Sequence, residues 1–296
     1  MKSVRPHPSW APWFFLSPFL LLFATFFAWP LLRAGALSLE QTFGPGVGVF
    51  IGLRNFTFIL RDPLFWTALR NTVWYALGSL VVQMPVALAL ALMLNRPGLR
   101  GRGFLRLVFF SPCLIGLVFT AILFALIFDK QTGLINYSLH AIFHRWDPDF
   151  PWLDEHVMPS LILAALWLYA GFNMIYFLAA LQNVPQEQAE AAAIDGAGAW
   201  GRFWHVTLPS IRPVAAFVVL LSVAGSVQLF ELPYIIYLRS FGSGPDNRAL
   251  TIVTYLYNTG FVTGDLGYAS AIGWVLALLL VAVVVLHRWL SRGEEL

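Results

Sequence analysis

Residues 190–209 read Glu-Ala-Ala-Ala-Ile-Asp-Gly-Ala-Gly-Ala-Trp-Gly-Arg-Phe-Trp-His-Val-Thr-Leu-Pro, a polar stretch between two apolar segments. Each flanking segment has the roughly 20 apolar residues that a helix needs to cross a bilayer. Alanine favours a helix, and the glycine at position 196 favours a turn that ends it. The stretch predicts a thin, ordered helix between two spans. It suits either a narrow cleft in a partner protein or an amphipathic connector on the membrane surface.

The composition is that of a polytopic membrane protein. Apolar residues make up 59% of the 296 residues, charged residues 11%, and the mean hydropathy is +0.73. A soluble domain carries about 25% charged residues. We therefore predict an all-α membrane protein with a single transmembrane domain over residues 1–296 and a polar loop at 182–212. Six apolar runs have the length of a span, at about residues 10–32, 66–94, 107–128, 159–181, 213–237 and 268–286.

The charge distribution predicts the orientation of these spans. An even number of spans puts both termini on one side, and the arginine-rich loop 96–106 favours the cytoplasm for that side. A cleaved signal peptide is the alternative, because Lys2 and Arg5 precede the first run and residues 34–36 resemble a cleavage site. The run is longer than a signal sequence, however, and Arg33 intervenes, which favours a retained span.

The polar loop carries further local signals. Asn183 is a candidate N-cap, Pro185 fits the first turn of the helix, and Glu187 complements the helix dipole. Pro209 and Pro213 are expected to start the fifth span. Between them and the helix, apolar residues recur at helical spacing in a second amphipathic piece: Trp200, Phe203, Trp204, Thr207 and Leu208.

The spacing of the loop residues is also similar to a known motif. Glu190-Ala191-Ala192, Gly196 and Val206-Thr207-Leu208-Pro209 resemble the EAA loop of permease subunits of binding-protein-dependent ABC importers, with valine in place of the usual isoleucine. Other segments resemble the sugar-permease group related to the maltose and glycerol-3-phosphate importers, although Glu231 replaces the aspartate common there. These segments are Gly52-Leu53-Arg54-Asn55-Phe56, Asn71-Thr72, Phe230-Glu231, Gly242-Ser243-Gly244-Pro245, Thr251, Tyr255 and residues 264–271.

This resemblance implies a type I importer fold whose helix at about residues 185–194 is the coupling helix, seated in a cleft of a cytoplasmic ATPase. Glu190 would make the polar contact there, Gly196 would allow the turn, and Leu208-Pro209 would set the loop against the spans. The implied coupling residues are Glu190, Ala191, Ala192, Asp195, Gly196, Ala197, Leu208 and Pro209. The implied partners are a second homologous permease, two ATPase subunits and an extracytoplasmic solute-binding protein, in the lipid of a bacterial or archaeal cytoplasmic (inner) membrane.

The chain itself lacks the residues of an ATP-driven motor. A P-loop requires a lysine after a glycine-rich turn, and the only lysines are Lys2 and Lys130. We therefore expect no catalytic site and no cofactor in this chain, with ATP and Mg bound by the partner ATPase. An ion-coupled secondary transporter remains the alternative, with Glu231 as its candidate carboxylate. A helix extended from Arg212 would put Glu231 about 28 Å further on, near the outer edge.

A group of titratable residues suggests a metal site as a further alternative. His140 and His144 share a helical face, with His156, Asp147 and Asp149 nearby in sequence. Solvated histidines of an external loop are far commoner than a metal site, and we predict no metal. A membrane enzyme acting on lipid-linked substrates would need a cluster of acids, bases or metal ligands at one interface, which the pattern does not provide.

Polar residues within the fourth and fifth runs are candidates for a solute pathway. Small and hydroxyl residues there suit close helix packing or a hydrated path, and tyrosine beside amides suits the faces and hydroxyls of a sugar. The candidates are Tyr169, Asn173, Tyr176, Ser222, Ser226, Gln228 and Glu231. A mono- or oligosaccharide is the predicted solute, with glycerol-3-phosphate or a polyol as the alternative. The absence of a basic cluster within the spans disfavours a phosphorylated solute.

Overall fold

The computed structural model describes residues 10–42, 44, 46, 48–96 and 98–292. Lys2 and Arg5, on which the signal-peptide alternative depends, lie outside the described residues. Contacts group the chain into two compact units. One contains the described residues up to Asp62 with Leu256–Leu276, and the other contains Pro63–Tyr255 with the described residues from Ala277. The assignment of one transmembrane domain stays a prediction.

The first unit begins with a long apolar helix. Its parts are α1 (Ala11–Phe23), a π-helical turn (Ala24–Ala28) and α2 (Trp29–Leu37). Together they give a span-length helix from Pro12 to Leu37, past the predicted end at residue 32. Two short strands, β1 (Glu40–Thr42) and β2 (Gly48–Phe50), then pair antiparallel with Gln41 opposite Val49. The unit is completed by α3 (Arg54–Ile59) and the start of α15 (Leu266–Arg292).

Buried hydrogen bonds hold this unit together. The Asn55 side chain donates to the carbonyls of Ser38 and Glu40, each at 2.9 Å. The Tyr268 hydroxyl donates to a carboxylate oxygen of Asp62 at 2.6 Å. Buried polar groups of this kind need such partners. Two of the segments that carry the resemblance, 52–56 and 264–271, therefore have structural roles in the same unit.

The second unit contains the remaining α-helices up to the boundary in α14, and the end of α15. They are α4 (Pro63–Leu94), α5 (Arg102–Phe110), α6 (Pro112–Ile115), α7 (Leu117–Ile127), α8 (Leu134–Ile142), α9 (Val157–Gln182), α10 (Gln186–Ile194), α11 (Ala199–Arg202), α12 (Leu208–Val227), α13 (Glu231–Ile236) and α14 (Ile252–Tyr257). The unit boundary falls within α14 and again within α15. In the described part of the chain, five helices are long and apolar enough to cross a membrane, and a bent pair provides a sixth.

The third apolar run, predicted as one span over 107–128, is divided. The helical segments Arg102–Ile115 and Leu117–Ile127 meet at an angle of 99°. Gly116 lies between them with φ +88°, a conformation that glycine adopts without steric cost. Pro112 also lacks the N–H that would bond to the preceding turn. Hydropathy detects the length of an apolar run but not a bend within it.

The fifth run also departs from the predicted span at 213–237. Helix is already present from Ala199 and continues through a π-helical turn at Phe203–Thr207 into α12. Pro209 lies in the first turn of α12 and Pro213 lies inside it, so the expected start is found at Pro209, although helix already precedes it from Ala199. The helix then ends at Val227, and α13 begins only at Glu231. The span is therefore two helices joined by a three-residue break.

Small side chains allow the helices of the second unit to pack closely. Helix α9 packs along α4, and α12 packs against both. Ala87 and Ala91 on α4 and Ala164 on α9 are fully buried. A side chain on Gly171 would collide with the backbone carbonyl of Phe109, so this glycine permits the close approach of α5 to α9. Small residues at such interfaces are typical of membrane helices, where van der Waals contact drives association.

Candidate functional sites: the polar loop and a cavity in the second unit

The predicted loop helix is present as α10, which starts at Gln186 after Pro185 in an extended conformation. The prediction of Asn183 as its N-cap is wrong. The Asn183 side chain instead donates to the carbonyl of Ala179 at 3.0 Å and closes the end of α9. Asparagine can satisfy the last carbonyls of one helix as readily as the first amides of the next, and sequence alone does not separate the two.

The end of α10 follows the predicted glycine turn. Gly196 has φ +85°. Its N–H donates to the carbonyl of Ala193 at 3.1 Å, and the N–H of Ala197 donates to the carbonyl of Ala192 at 2.9 Å. This pair of bonds is the Schellman arrangement that closes a helix at a left-handed residue. The turn fixes the direction in which α11 leaves.

The described side chains of α10 are exposed, except that of Ala192, which is half-buried. Glu190 is exposed, and Ile194 at its end is 87% exposed. Among the predicted coupling residues, the exposed ones are Glu190, Ala191, Asp195, Gly196 and Pro209, and the half-buried ones are Ala192, Ala197 and Leu208. The site prediction omitted Ile194, although it lies next to the quoted motif. An isoleucine this exposed gains almost no hydrophobic stabilisation from its own chain.

Aromatic rings follow the turn. Trp200 lies with its ring centroid 5.8 Å from both Phe203 and Trp204, and those two rings are 5.5 Å apart. Trp200 is largely exposed. This cluster continues the predicted apolar stripe into the helix that leads to α12. Its amphipathic rings suit a membrane interface.

A cavity of about 190 Å³ lies in the second unit, between α4, α9 and the end of α12. Six of the seven predicted pathway residues line it: Tyr169, Asn173, Ser222, Ser226, Gln228 and Glu231. Tyr176 is the exception. Its ring contacts Phe172 and Phe217, with centroid distances of 5.2 and 6.0 Å. The structure thus brings residues of the fourth and fifth runs to one place, and their role in a pathway stays a prediction.

Helix α4 supplies lining residues that the sequence did not identify. Tyr75 and Gln83 face the cavity, as do Phe172 and Leu221 from the other helices. Gln83 is 4% exposed and Asn173 is 5% exposed, and both side-chain amides belong to the lining of the cavity. A buried amide needs a partner. These two amides are therefore available to a polar molecule in the cavity.

The cavity is buried on one side and open on the other. Tyr75, Gln83 and Asn173 are buried, whereas Gln228 and Glu231 are exposed at the surface of the chain. The expectation of Glu231 on a helix continuous from Arg212 is wrong, because α12 ends before it. Glu231 follows the break, and its carboxylate lies in the cavity wall. The sequence does not show this position of Glu231, because the apolar run at 213–237 has the pattern of one regular helix.

The candidate metal residues do not come together. In the described part of the chain, no group of three histidine, cysteine, aspartate or glutamate side chains could hold a metal ion. His140 Nδ1 lies 2.8 Å from the carbonyl oxygen of Trp146. The His156 ring stacks 4.4 Å from that of Phe150. These histidines are engaged in the local structure of the 129–156 segment.

A carboxylate turn begins that same segment. The Asp129 carboxylate accepts bonds from the N–H of Gln131 at 3.1 Å and from the N–H and hydroxyl of Thr132 at 2.8 and 2.7 Å. These donors, first the Thr132 N–H, hold the pKa of Asp129 below its usual range, because they favour the charged form. Asp129 therefore stays ionised and orders the turn after α7.

Comparison with known proteins identifies the family. Residues 83–295 match the family described as binding-protein-dependent transport system inner membrane component. The chain is 38% identical to the arabinooligosaccharides transport system permease protein AraP of Bacillus subtilis, over 96% of this chain and 90% of that protein. The chain belongs to this family. It is also 37% identical to the lactose transport system permease protein LacF of Rhizobium radiobacter, over 96% of this chain and 94% of that protein.

The fold of this chain also matches that of a chain in a solved structure. The crystal structure of a bacterial alginate ABC transporter, in complex with its alginate pentasaccharide-bound periplasmic protein, matches with a TM-score of 0.81 and 26% identity. The match covers 96% of this chain and 94% of that chain. The predicted all-α importer-permease fold is thereby confirmed. The similar proteins are permease proteins of transport systems, which also confirms the prediction of a transporter subunit rather than an enzyme.

Proposed function

We propose that this inner membrane component forms half of the pathway by which an ABC importer moves a neutral sugar, mono- or oligosaccharide, into the cytoplasm. The observation that carries the proposal is the cavity. Its wall combines buried amides, tyrosine rings and hydroxyls, which suit the hydroxyl groups and apolar faces of a sugar. The similar proteins named for arabinooligosaccharides and for lactose support the same solute class.

The charge of the cavity favours a neutral solute over an anionic one. Glu231 is the one ionisable acid among the residues that line it, and these described lining residues include no arginine, lysine or histidine. A phosphate or carboxylate in this space would meet a like charge without a compensating cation. Glycerol-3-phosphate, the alternative solute, is therefore disfavoured.

The open side of the cavity supports a second permease as partner. Phe172, Leu221 and Gln228 border the cavity and are exposed. A homologous subunit that covered these exposed residues would complete the wall of the cavity. We propose that the assembly also contains two ATPase subunits, which bind ATP and Mg, and an extracytoplasmic solute-binding protein. In this arrangement both termini and α10 face the cytoplasm, and the loop 238–251 faces outside.

Energy would enter through α10. Its alanine-rich surface is thin enough for a cleft, Glu190 offers a charged group, and Ile194 offers an apolar one. The Schellman turn at Gly196 connects the helix rigidly to the span that lines the cavity. Movement of an ATPase that holds α10 would therefore move α12. Leu208 and Pro209 lie at the start of α12, where the force is transferred.

Uptake into proteoliposomes tests this proposal. The complete importer is reconstituted with ATP inside and its binding protein outside, and uptake of arabino-oligosaccharides, lactose and glycerol-3-phosphate is compared. We expect uptake of a neutral sugar that stops without ATP. Faster uptake of glycerol-3-phosphate would contradict the sugar class. Uptake driven by an ion gradient without ATP would instead establish the secondary transporter.

A matched pair of variants tests the role of α10. Glu190→Ala removes the proposed contact, and Glu187→Ala removes another exposed carboxylate of the same helix. We expect Glu190→Ala to reduce ATP-dependent uptake about tenfold, the effect of losing one charge-assisted hydrogen bond, and Glu187→Ala to change it less than twofold. Equal uptake by both variants and the parent would show that Glu190 does not couple ATP hydrolysis to transport.

A further inference from the structure

The break between α12 and α13 exposes backbone groups that need partners. Residues 228–230 do not continue the helix, so the carbonyl of Leu229 has no partner in a regular helix. A buried threonine from a distant part of the chain supplies one. The hydroxyl of Thr251 donates to the Leu229 carbonyl at 2.7 Å. In a membrane-embedded protein, an unsatisfied carbonyl at such a break is costly.

Thr251 is part of a hydrogen-bonded segment, residues 247–254, which we call the bracket and which is buried at residues 249–252 and 254. Thr251 is 0% exposed. Its hydroxyl lies 2.9 Å from that of Thr254 and accepts from the Thr254 N–H at 3.3 Å. The bracket therefore has a defined shape, and the Thr251 hydroxyl holds it to the break.

The bracket is fixed to α4 on its other side. Asn71 donates to the carbonyls of Asn247 and Leu250, at 2.8 and 3.0 Å. The hydroxyl of Thr72 accepts from the N–H of Ile252 at 3.0 Å. The bracket thus links α4, which carries Tyr75 and Gln83 of the cavity, to the break, which carries Leu229 of the cavity wall. The separate segments 71–72, 230–231 and 251 of the sequence meet at this link.

Apolar side chains pack together where the break meets the cavity wall. Leu229 lines the cavity and is buried, and it packs in one cluster with Leu232 and Ala249. Phe128 belongs to the same cluster and is also buried. A bond that holds the backbone of Leu229 also restrains the position of its side chain in the cavity wall. The Thr251 hydroxyl holds that backbone.

From these contacts we infer that Thr251 is a positioning residue for the cavity. Its hydrogen bond to Leu229 keeps the break in place and thereby closes the cavity toward the loop 238–251. Displacement of the bracket by a protein bound at that loop would release the Leu229 carbonyl and open the cavity on that side. This inference rests on the proposed function, which places the loop outside the membrane and a binding protein upon it.

Thiol labelling tests the closure directly. A cysteine is introduced by Ser222→Cys in a Cys113→Ser background, so that the single reactive thiol lies in the cavity wall. The complete importer in lipid nanodiscs, without ATP, is treated with a charged maleimide too polar to cross lipid. The rate of modification is compared for Thr251→Val, which removes the hydroxyl but keeps the shape, and for Thr251→Ser, which keeps the hydroxyl. Only the assembled complex recovered by gel filtration is scored.

We expect Thr251→Val to label about tenfold faster than the parent and Thr251→Ser to label within about twofold of it. Ser160→Ala is the matched control. Ser160 is also fully buried, and its hydroxyl bonds the carbonyls of Trp152 and His156, each at 2.9 Å, away from the cavity lining. A purely structural role predicts equal rates for Thr251→Val and Ser160→Ala. That result, or a serine variant that labels like the valine variant, would overturn the inference.

Two further outcomes remain informative. If Thr251→Val does not assemble, Thr251→Ala takes its place, and parent-like labelling of that variant also overturns the inference. The labelling requires no solute. Faster labelling of Thr251→Val in an importer that moves no sugar would support the positioning role and contradict only the proposed solute. Normal sugar uptake by the parent with unchanged labelling of the variant would contradict the positioning role alone.

Discussion

The polar loop at 182–212 and the bracket at 247–254 lie at opposite ends of the helical path through α12, and they are stabilised in different ways. Helix α10 has an exposed surface and an ordered end, and its hydrogen bonds are local. The bracket is buried, and its hydrogen bonds join residues that are far apart in sequence. The loop presents an exposed surface, as the proposed contact with an ATPase requires, whereas the bracket is held by its own chain. This difference fits the proposal that the ATPase moves the loop while the hydrogen bonds of the bracket hold the other end of α12 in place.

Two isoleucines provide the largest expected contrast. Ile252 is 1% exposed in the bracket, and Ile194 is 87% exposed at the end of α10. Ile252→Ala should destabilise the chain by about 2–5 kcal/mol, since it removes buried methyl groups and leaves a cavity. Ile194→Ala should change stability by less than about 0.5 kcal/mol. Thermal unfolding of the detergent-purified chain measures both.

The same isoleucine pair also sharpens the comparison in function. Ile194→Ala should reduce the amount of ATPase subunit that co-purifies with the permease, although the chain itself remains stable. A loss of stability equal to that of Ile252→Ala would show that α10 packs within its own chain. Unchanged ATPase retention would remove Ile194 from the proposed interface.

Two asparagines give an intermediate contrast. The buried Asn71 bonds two carbonyls of the bracket, and the exposed Asn183 bonds one carbonyl at the end of α9. Asn71→Ala should cost about 1–3 kcal/mol, because it removes the side-chain donor to the buried Leu250 carbonyl, and Asn183→Ala less than about 0.5 kcal/mol. The melting temperatures of the two purified variants measure this difference in stability. Equal shifts would mean that burial does not distinguish the two regions.

The smallest expected effect comes from two glycines of the loop. A Cβ at Gly196 or at Gly198 would meet open space, but only Gly196 has a positive φ, at +85°. Gly196→Ala should therefore cost about 1 kcal/mol from backbone strain, and Gly198→Ala should cost less or stabilise slightly. Unfolding of the two variants, with ATP-dependent uptake as a second measurement, compares them. Matching results would show that the left-handed turn is not needed.

Local signals accounted for much of the fold. Apolar run length located α4, α9 and the span within α15, and the alanines with Gly196 located α10 and its end. The same reasoning could not place Asn183, because an asparagine between two helices can bond either one. It also missed the bend at Gly116, since a glycine within an apolar run is compatible with a straight span.

The cavity was predicted only in part for a similar reason. The sequence predicted Asn173, Ser222 and Gln228 as pathway residues because they are polar side chains in the fourth and fifth apolar runs. Gln83 was not predicted, because the long apolar run in which it lies showed no pattern of polar residues that indicated a solute path. Its role depends on the packing of α4 against α9, which no local pattern records.

The sequence by itself determined that this chain spans a membrane and has a short helix ended by a glycine between two spans, because hydropathy, helix propensity and turn chemistry act over neighbouring residues, and its motifs indicated an importer subunit by resemblance. The tertiary structure decided where the spans bend, which side chains share the cavity and how Thr251 reaches the Leu229 carbonyl. Those features depend on burial and on hydrogen bonds between residues far apart in the chain. An unpaired polar group becomes costly, and so selects its partner, only once the helices have packed around it.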